Sequence, residues 1–168
     1  MKIDAQPSLA TVSDLVGLGQ LLQEAGLPNA GLQDAWRAWV LTDPSSCSVV
    51  GGVALERYDT ADGPAFLLRS LVVSLGMRGG GLGGELVGCA MSAVEDDAEG
   101  DATVALLTET ADDYFPRFGF VPSSRADLPT ELSASCELRG ACPDSSRVFV
   151  RCVRALSSAQ TRGRERES

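Results

Sequence analysis

Arg78 opens a stretch in which Gly79, Gly80, Gly81, Gly83 and Gly84 are interrupted only by Leu82. With so little side chain, the chemistry of this loop is that of backbone N–H groups and one guanidinium. The apolar run AFLLRSLVV precedes it at residues 65–73 and reads as a strand. After it, Leu82, Leu86, Cys89, Ala90 and Ala93 recur at helical spacing, predicting a helix over residues 83–97. Strand, glycine loop and helix in that order can hold an anion. The first N–H groups of a helix have no internal partner, the helix dipole is positive there, and glycine lets a phosphate approach the backbone. Arg78 adds a planar donor fork suited to phosphate. The competing reading is a tight strand-to-helix crossing in which the glycines only permit close packing.

The choice of chemistry is narrowed by what is missing. The sequence holds no histidine, which removes Ser-His-Asp triads, Cys-His pairs and histidine metal sites. Cys47, Cys89, Cys136, Cys142 and Cys152 are irregularly spaced with no CxxC, and no metal is expected. A nucleoside triphosphate loop needs a lysine after its last glycine. Gly79 and Gly84 have the spacing, but Glu85 stands at the lysine position and would repel phosphate. The dinucleotide pattern GxGxxG is met at Gly79, Gly81 and Gly84. Such units open their domains, whereas three strands are predicted ahead of this one, and Glu109 lies slightly too far along to be the ribose-binding acid.

A third pattern, [RQ]xxGx[GA], is met at Arg78, Gly81 and Gly83. In it the loop resembles the acetyl-CoA pyrophosphate loop of the GNAT acetyltransferase superfamily. A later stretch, ADDYFPRFGF at residues 111–120, is similar to that superfamily's AxxFYxxxGF. The resemblance runs over residues 3–153 and implies acetyl-CoA as cosubstrate and a small amine as acceptor. Leu71, Val72 and Val73 then stand where the superfamily's central strand exposes backbone to the pantetheine arm. Arg78, Gly79, Gly80, Gly81, Leu82, Gly83 and Gly84 would take the pyrophosphate. LERY at 55–58, LLRSLVV at 67–73 and RADLPTELSASCELRGACPDSS at 125–146 further resemble the arsenic-resistance branch. Enzymes related to that branch acetylate the α-amino group of glutamate-like arsenic or phosphorus amino acids. Direct arsenic binding by Cys136, Cys142 and Cys152 competes with the commoner role of cysteine as an inert buried residue.

Acetyl transfer needs a bound donor, a deprotonated amine, a hydrogen-bond donor to the thioester oxygen and a proton for the leaving thiolate. A backbone N–H near Val72 or Val73 is placed for the oxygen. The superfamily's usual acid is a tyrosine four residues ahead of the GF glycine, where this chain has Phe115; its frequent asparagine is replaced by Thr108. Tyr114 is then either the acid or a core or surface residue, since helical neighbours point about 100° apart. Glu56 and Arg69 fall on adjacent predicted strands. Facing a cleft, Glu56 would take the amine's proton through water and Arg69 would bind a substrate carboxylate. Facing each other, they would be a cross-strand ion pair. The Leu27-Pro28-Asn29 turn, with Pro28 at its centre, would shape the acceptor pocket or merely join two helices. The departure at Phe115 motivates a second reading, a non-catalytic acyl-CoA-binding sensor or partner module.

One domain over residues 1–155 must position these groups, ahead of a polar tail at 156–168 expected to be disordered. The predicted order is β-α-α-β-β-β-α-β-α-β. A strand at 3–6 is followed by a helix from Thr11 closed by Gly26, a short helix at 32–38, and strands at 39–41, 48–57 and 65–73. Then come the helix at 83–97, a strand at 103–107, a short helix at 112–118, and strand residues from Phe120 and at 147–153. That alternation predicts a mixed α/β fold, a central mixed sheet flanked by helices. The 23 acidic residues against 14 basic ones give a net charge of −9, which repels nucleic acid. Lys2 is the single lysine, and such acidity fits either a salt-rich interior or an ordinary acidic protein. No apolar run of about 18 residues and no leader pattern in MKIDAQPS predict a cytoplasmic chain with no membrane partner. A homodimer stays open.

Overall fold

The computed structural model describes residues 5–143 and 145–154. Seven strands form one sheet in the order β1-β2-β3-β4-β5-β7-β6. They are β1 Ser8–Leu9, β2 Arg37–Thr42, β3 Val49–Thr60, β4 Gly63–Val73, β5 Ala102–Thr108, β6 Val121–Ser123 and β7 Arg147–Val153. Two α-helices, α1 Val12–Glu24 and α2 Leu82–Asp97, flank it. The β4–β5 pair is parallel and the other pairs are antiparallel, because α2 carries the chain back between those two strands. This is the mixed α/β architecture expected from the sequence. Among the described residues, no helix is long and apolar enough to cross a membrane.

Local chemistry explains both the agreements and the differences. The Thr11 hydroxyl accepts from the Asp14 N–H at 3.1 Å, and the Asp14 carboxylate accepts from the Thr11 N–H at 2.9 Å. This capping box starts α1 and contributes about 1 kcal/mol. The helix expected at 32–38 is a single 3-10 turn, Leu32–Asp34, and Arg37 and Ala38 already belong to β2. Trp39 and Val40 prefer the pleated surface of a strand to a helix. The helix expected at 112–118 is a turn followed by the 3-10 helix Phe115–Phe118, since Pro116 has no N–H to continue a helical ladder. The first strand lies at Ser8–Leu9 rather than at 3–6. Residues 3 and 4 and the polar tail lie outside the described residues.

Side chains alternate between the two faces. Leu86, Ala90 and Val94 of α2 pack on Val53, Leu55 and Phe66, while Leu18 and Leu22 of α1 pack on Val40, Ala54 and Val72. Strand β4 interrupts this alternation. Ser70 has a φ of 60°, and the pairing with β3 slips there, from Ala54↔Arg69 to Gly52↔Val72. Phe66 and Leu68 face α2, and past the bulge Leu71 and Val73 do so as well. A second break follows. β4 and β5 pair only from Ala65↔Thr103 through Leu67↔Ala105. Beyond Leu67 the two strands part, and the sheet has a gap lined by their backbones.

Candidate active site

Two cavities occupy this gap and its approach. The first, of about 450 Å³, is walled by Leu71, Val72 and Val73 of β4, by Arg78, Gly79, Gly81, Leu82, Gly83 and Gly84, and by Arg117 and Phe118. Gly80 is outside that wall. Gly79 and Gly81 have φ of 88° and 80°, a left-handed conformation that glycine adopts without strain. Gly81 is the N-cap of α2 and supplies no side-chain cap. The first-turn N–H groups of α2 thus have no capping side chain to satisfy them. Arg78 is exposed, and its Nε donates to the Val73 carbonyl at 2.9 Å, which tethers the guanidinium to the end of β4. Arg117 brings a second cation that the sequence did not single out; its guanidinium lies 5.1 Å from the Tyr114 ring centre.

The second cavity, of about 340 Å³, lies between Leu68, Arg69, Ser70 and Leu71 of β4 and Leu106, Leu107 and Thr108 of β5. Pro28, Glu137 and Cys142 also line it. Leu27, Leu71 and Tyr114 belong to the walls of both cavities. A larger groove of about 690 Å³ runs between Arg37 and Trp39 of β2 and Glu85, Ser92 and Asp96 of α2, apart from the gap.

Tyr114 reaches the shared wall for local reasons. The Ala111 N–H donates to Thr108 Oγ1 at 3.1 Å, and the Tyr114 N–H donates to the Ala111 carbonyl at 3.1 Å. Thr108 thus starts the turn, and Asp112 ties it to β7 through an ion pair with Arg147. Phe115 turns into the core beside Phe120 and Phe149. Its neighbour Tyr114 is left on the cavity side, edge-on to Phe118. Gly83 makes room for it, since a Cβ there would stand 2.5 Å from the phenol oxygen. Burial raises the Tyr114 pKa while the Arg117 charge pulls it down, so the phenol holds its proton at neutral pH.

Glu56 and Arg69 point to the same face and meet. Arg69 Nη1 donates to Glu56 Oε2 at 3.0 Å. Glu56 also accepts from the Tyr58 hydroxyl at 2.5 Å and the Ser135 hydroxyl at 2.9 Å, and it lies in neither cavity wall. Arg69 reaches the second cavity, with Nη2 donating to the Ala30 carbonyl at 2.8 Å and Nε to Ser70 Oγ at 3.0 Å. A second carboxylate, Glu137, approaches the same guanidinium, with Oε1 3.5 Å from Arg69 Nε. Burial raises the Glu137 pKa to about 7; Arg69 lowers it and Glu56 raises it further. The Cys142 thiol is pushed up to about 12 by burial first and then by Glu137. Sequence reading passed over Glu137. Its signal was its place inside the 125–146 tail that resembles the arsenic-resistance branch. Cys136 and Cys152 are exposed and Cys142 is buried. Among the described residues, no group of three or more His, Cys, Asp or Glu is placed to hold a metal ion.

No family model and no curated protein matches the sequence. Solved structures do match. The N-acetylglutamate synthase of Neisseria gonorrhoeae, complexed with coenzyme A and N-acetylglutamate, superposes with a TM-score of 0.70 at 19% identity, over 90% of this chain and 36% of that one. The present chain therefore spans little more than a third of that protein's length. Rv2747 of Mycobacterium tuberculosis, in complex with CoA, gives 0.67 at 19% identity over 88% of this chain and 98% of its own. The GNAT-family N-acetyltransferase YhbS of Escherichia coli, in complex with CoA, gives 0.64 at 21% identity over 90% and 83%. The fold is that of GNAT-family N-acetyltransferases.

Proposed function

We propose that this chain is an acetyl-CoA-dependent N-acetyltransferase acting on a small, amino-acid-like amine. One observation carries the reading. The glycine-loop cavity and the cavity between the parted strands share a wall at Leu71 and Tyr114, so a donor held along the loop would meet an acceptor held in the gap. The loop's resemblance and the CoA in the neighbouring structures favour the donor. The N-acetylglutamate bound to the gonococcal synthase and the tail's likeness to the arsenic-resistance branch favour an amino-acid acceptor.

In this reading Arg78, Arg117 and the first turn of α2 hold the pyrophosphate. Acetyl-CoA, when bound, supplies an activated thioester. The end of β4 aligns the pantetheine arm, and a backbone N–H near Val72 or Val73 meets the thioester oxygen as it gains charge. Tyr114, kept protonated by burial, gives its proton to the departing thiolate. Arg69, its three nitrogens already bonded to Glu56, Ser70 and the Ala30 carbonyl, lines the acceptor's cavity and fixes the charges around it. Glu56, engaged by Tyr58, Arg69 and Ser135, holds Arg69 in place, and Pro28 shapes the acceptor's side of the cavity.

Calorimetry with acetyl-CoA in low and in molar potassium chloride tests the donor. Release of free thiol in the presence of L-glutamate, L-glutamine, L-methionine or L-arginine tests the acceptor. Binding with acetylation of at least one amino acid is expected. Binding without acetylation would point to an acyl-CoA sensor instead. No binding in either salt would sink the enzyme.

A further inference from the structure

We propose that Glu137 is the catalytic base of this site, the carboxylate on the wall of the acceptor cavity that takes the proton from the acceptor's ammonium. The inference rests on the acetyltransferase reading above and adds a residue to it.

Two buried carboxylates share Arg69, and their surroundings separate their roles. Glu56 accepts from Tyr58, Arg69 and Ser135 and stays out of the cavity. Glu137 lines the cavity and is 4% exposed. It is held on a fixed frame. Its N–H donates to Ser135 Oγ at 3.2 Å, and its carbonyl accepts from the Cys142 N–H at 3.1 Å. An ammonium entering between β4 and β5 therefore finds Glu137 as the buried carboxylate facing it. Glu109, in the same cavity wall, is exposed.

The charges around Glu137 tune it for exchange rather than permanent ionisation. Among the described residues Arg69 on β4 is the single buried cation, and it already neutralises Glu56 on β3, with the Tyr58 phenol behind that carboxylate. From its own segment Glu137 meets the Cys142 thiol, which donates to it and whose raised pKa keeps that proton in place. Arg125 lies close enough to act on Cys142. One guanidinium between two carboxylates leaves the second carboxylate under-compensated in a dry site, so it binds a proton near neutrality. A base poised there is ionised often enough to accept a proton and acidic enough to give it back to solvent.

The step balances. The acceptor R–NH3+ passes one proton to the Glu137 carboxylate, leaving R–NH2 and a neutral carboxyl. The amine forms the C–N bond as the C–S bond breaks. The nitrogen's second proton replaces the one that Tyr114 gives to the thiolate. Glu137 then releases its proton to water, and the net products are the amide, the free thiol and one proton. An alkylammonium is the weaker acid, so the first transfer is uphill and is drawn forward by consumption of the free amine.

The test is Glu137→Gln, which keeps shape and removes the base. With saturating acetyl-CoA and whichever amino acid of the panel the native protein acetylates, kcat/KM of the native protein should rise with pH through an apparent pKa of about 7. Glu137→Gln should lose that limb and fall about a hundredfold at pH 7.5, with acetyl-CoA affinity unchanged by calorimetry. A carbon-13 titration of the side-chain carboxyls supplies a readout that needs no acceptor. The native protein should show one glutamate titrating near 7, absent from the variant. A variant that keeps the limb and stays within about threefold in rate would overturn the proposal while leaving the acetyltransferase standing. So would a native protein with no carboxyl titrating near neutrality. Acetyl-CoA binding with no amino acid acetylated, or no binding at all, would instead remove the reading on which the proposal rests.

Discussion

The two ends of the candidate site are built from opposite materials. The donor end is mostly one continuous stretch, residues 71–84, largely exposed and made of backbone with the tethered Arg78, and Arg117 joins it from the turn after β5. The acceptor end draws Glu56, Arg69 and Glu137 from distant segments into a buried cluster of side-chain charges. Each end uses an arginine, and the two differ in what depends on them. Arg78 answers to solvent and to one carbonyl, so little in the fold needs it. Arg69 is 3% exposed and compensates two carboxylates that would otherwise be stranded. The comparison teaches that residue type alone does not separate a binding arginine from one the fold needs; burial and partners do.

The strongest way to break that contrast is Arg69→Met, which keeps much of the volume and removes the charge. The buried carboxylates would lose their counter-ion, and the cost should be about 3–5 kcal/mol at pH 8 by urea denaturation. The penalty should shrink toward pH 5. Glu137, with its raised pKa of about 7, is protonated there and no longer needs a cation. A cost below about 1 kcal/mol at pH 8 would show that the cluster is as dispensable as a surface pair.

Between the two ends stands Tyr114, in both cavity walls. Tyr114→Phe removes one oxygen and leaves the packing against Phe118 in place. Loss of a general acid should lower kcat about a hundredfold, with acetyl-CoA affinity unchanged. A loss of less than about threefold would mean that the thiolate leaves without a protein acid, and that Tyr114 only separates the cavities.

The same division decides what could be read from the sequence. The donor end was legible because its signal is contiguous: an apolar strand, five glycines and a helical repeat lie side by side. Helix α1 was legible between Thr11, which caps it, and Gly26, which follows its end. The segment at 32–38 was misread because its hydrophobic residues suit a turn of helix as well as the start of a strand, and only pairing of Arg37 with Leu55 decides between them. At the acceptor end, Glu56 and Arg69 could be guessed as a pair on neighbouring strands. That Glu56 lies behind Arg69 and outside the cavity depends on Ser135, which arrives from beyond β6. Glu137 comes with it, and local pattern holds no record of that long-range approach. The bulge at Ser70, which turns Leu71 and Val73 toward the donor cavity, is equally invisible in AFLLRSLVV.

The smallest expected effect sharpens the comparison from the donor end. Arg78→Ala should leave unfolding free energy within about 0.5 kcal/mol of the native value, because the side chain is exposed. Its Nε–H is committed to the Val73 carbonyl, and a guanidinium carries five N–H donors in all. The tether thus orients the group without exhausting it. Removing one charged donor to a solvent-exposed phosphate should raise the Kd for acetyl-CoA about tenfold, or about 1.4 kcal/mol. Arg117 shares the cavity and would retain part of the attraction, so affinity should weaken rather than vanish. The remaining affinity should also depend less on salt, since one screened charge is gone. Calorimetry across a potassium chloride series reads both quantities. An unchanged Kd with an unchanged salt slope would place the phosphates on backbone and Arg117 alone, and would leave Arg78 as the clasp that fastens the loop to β4.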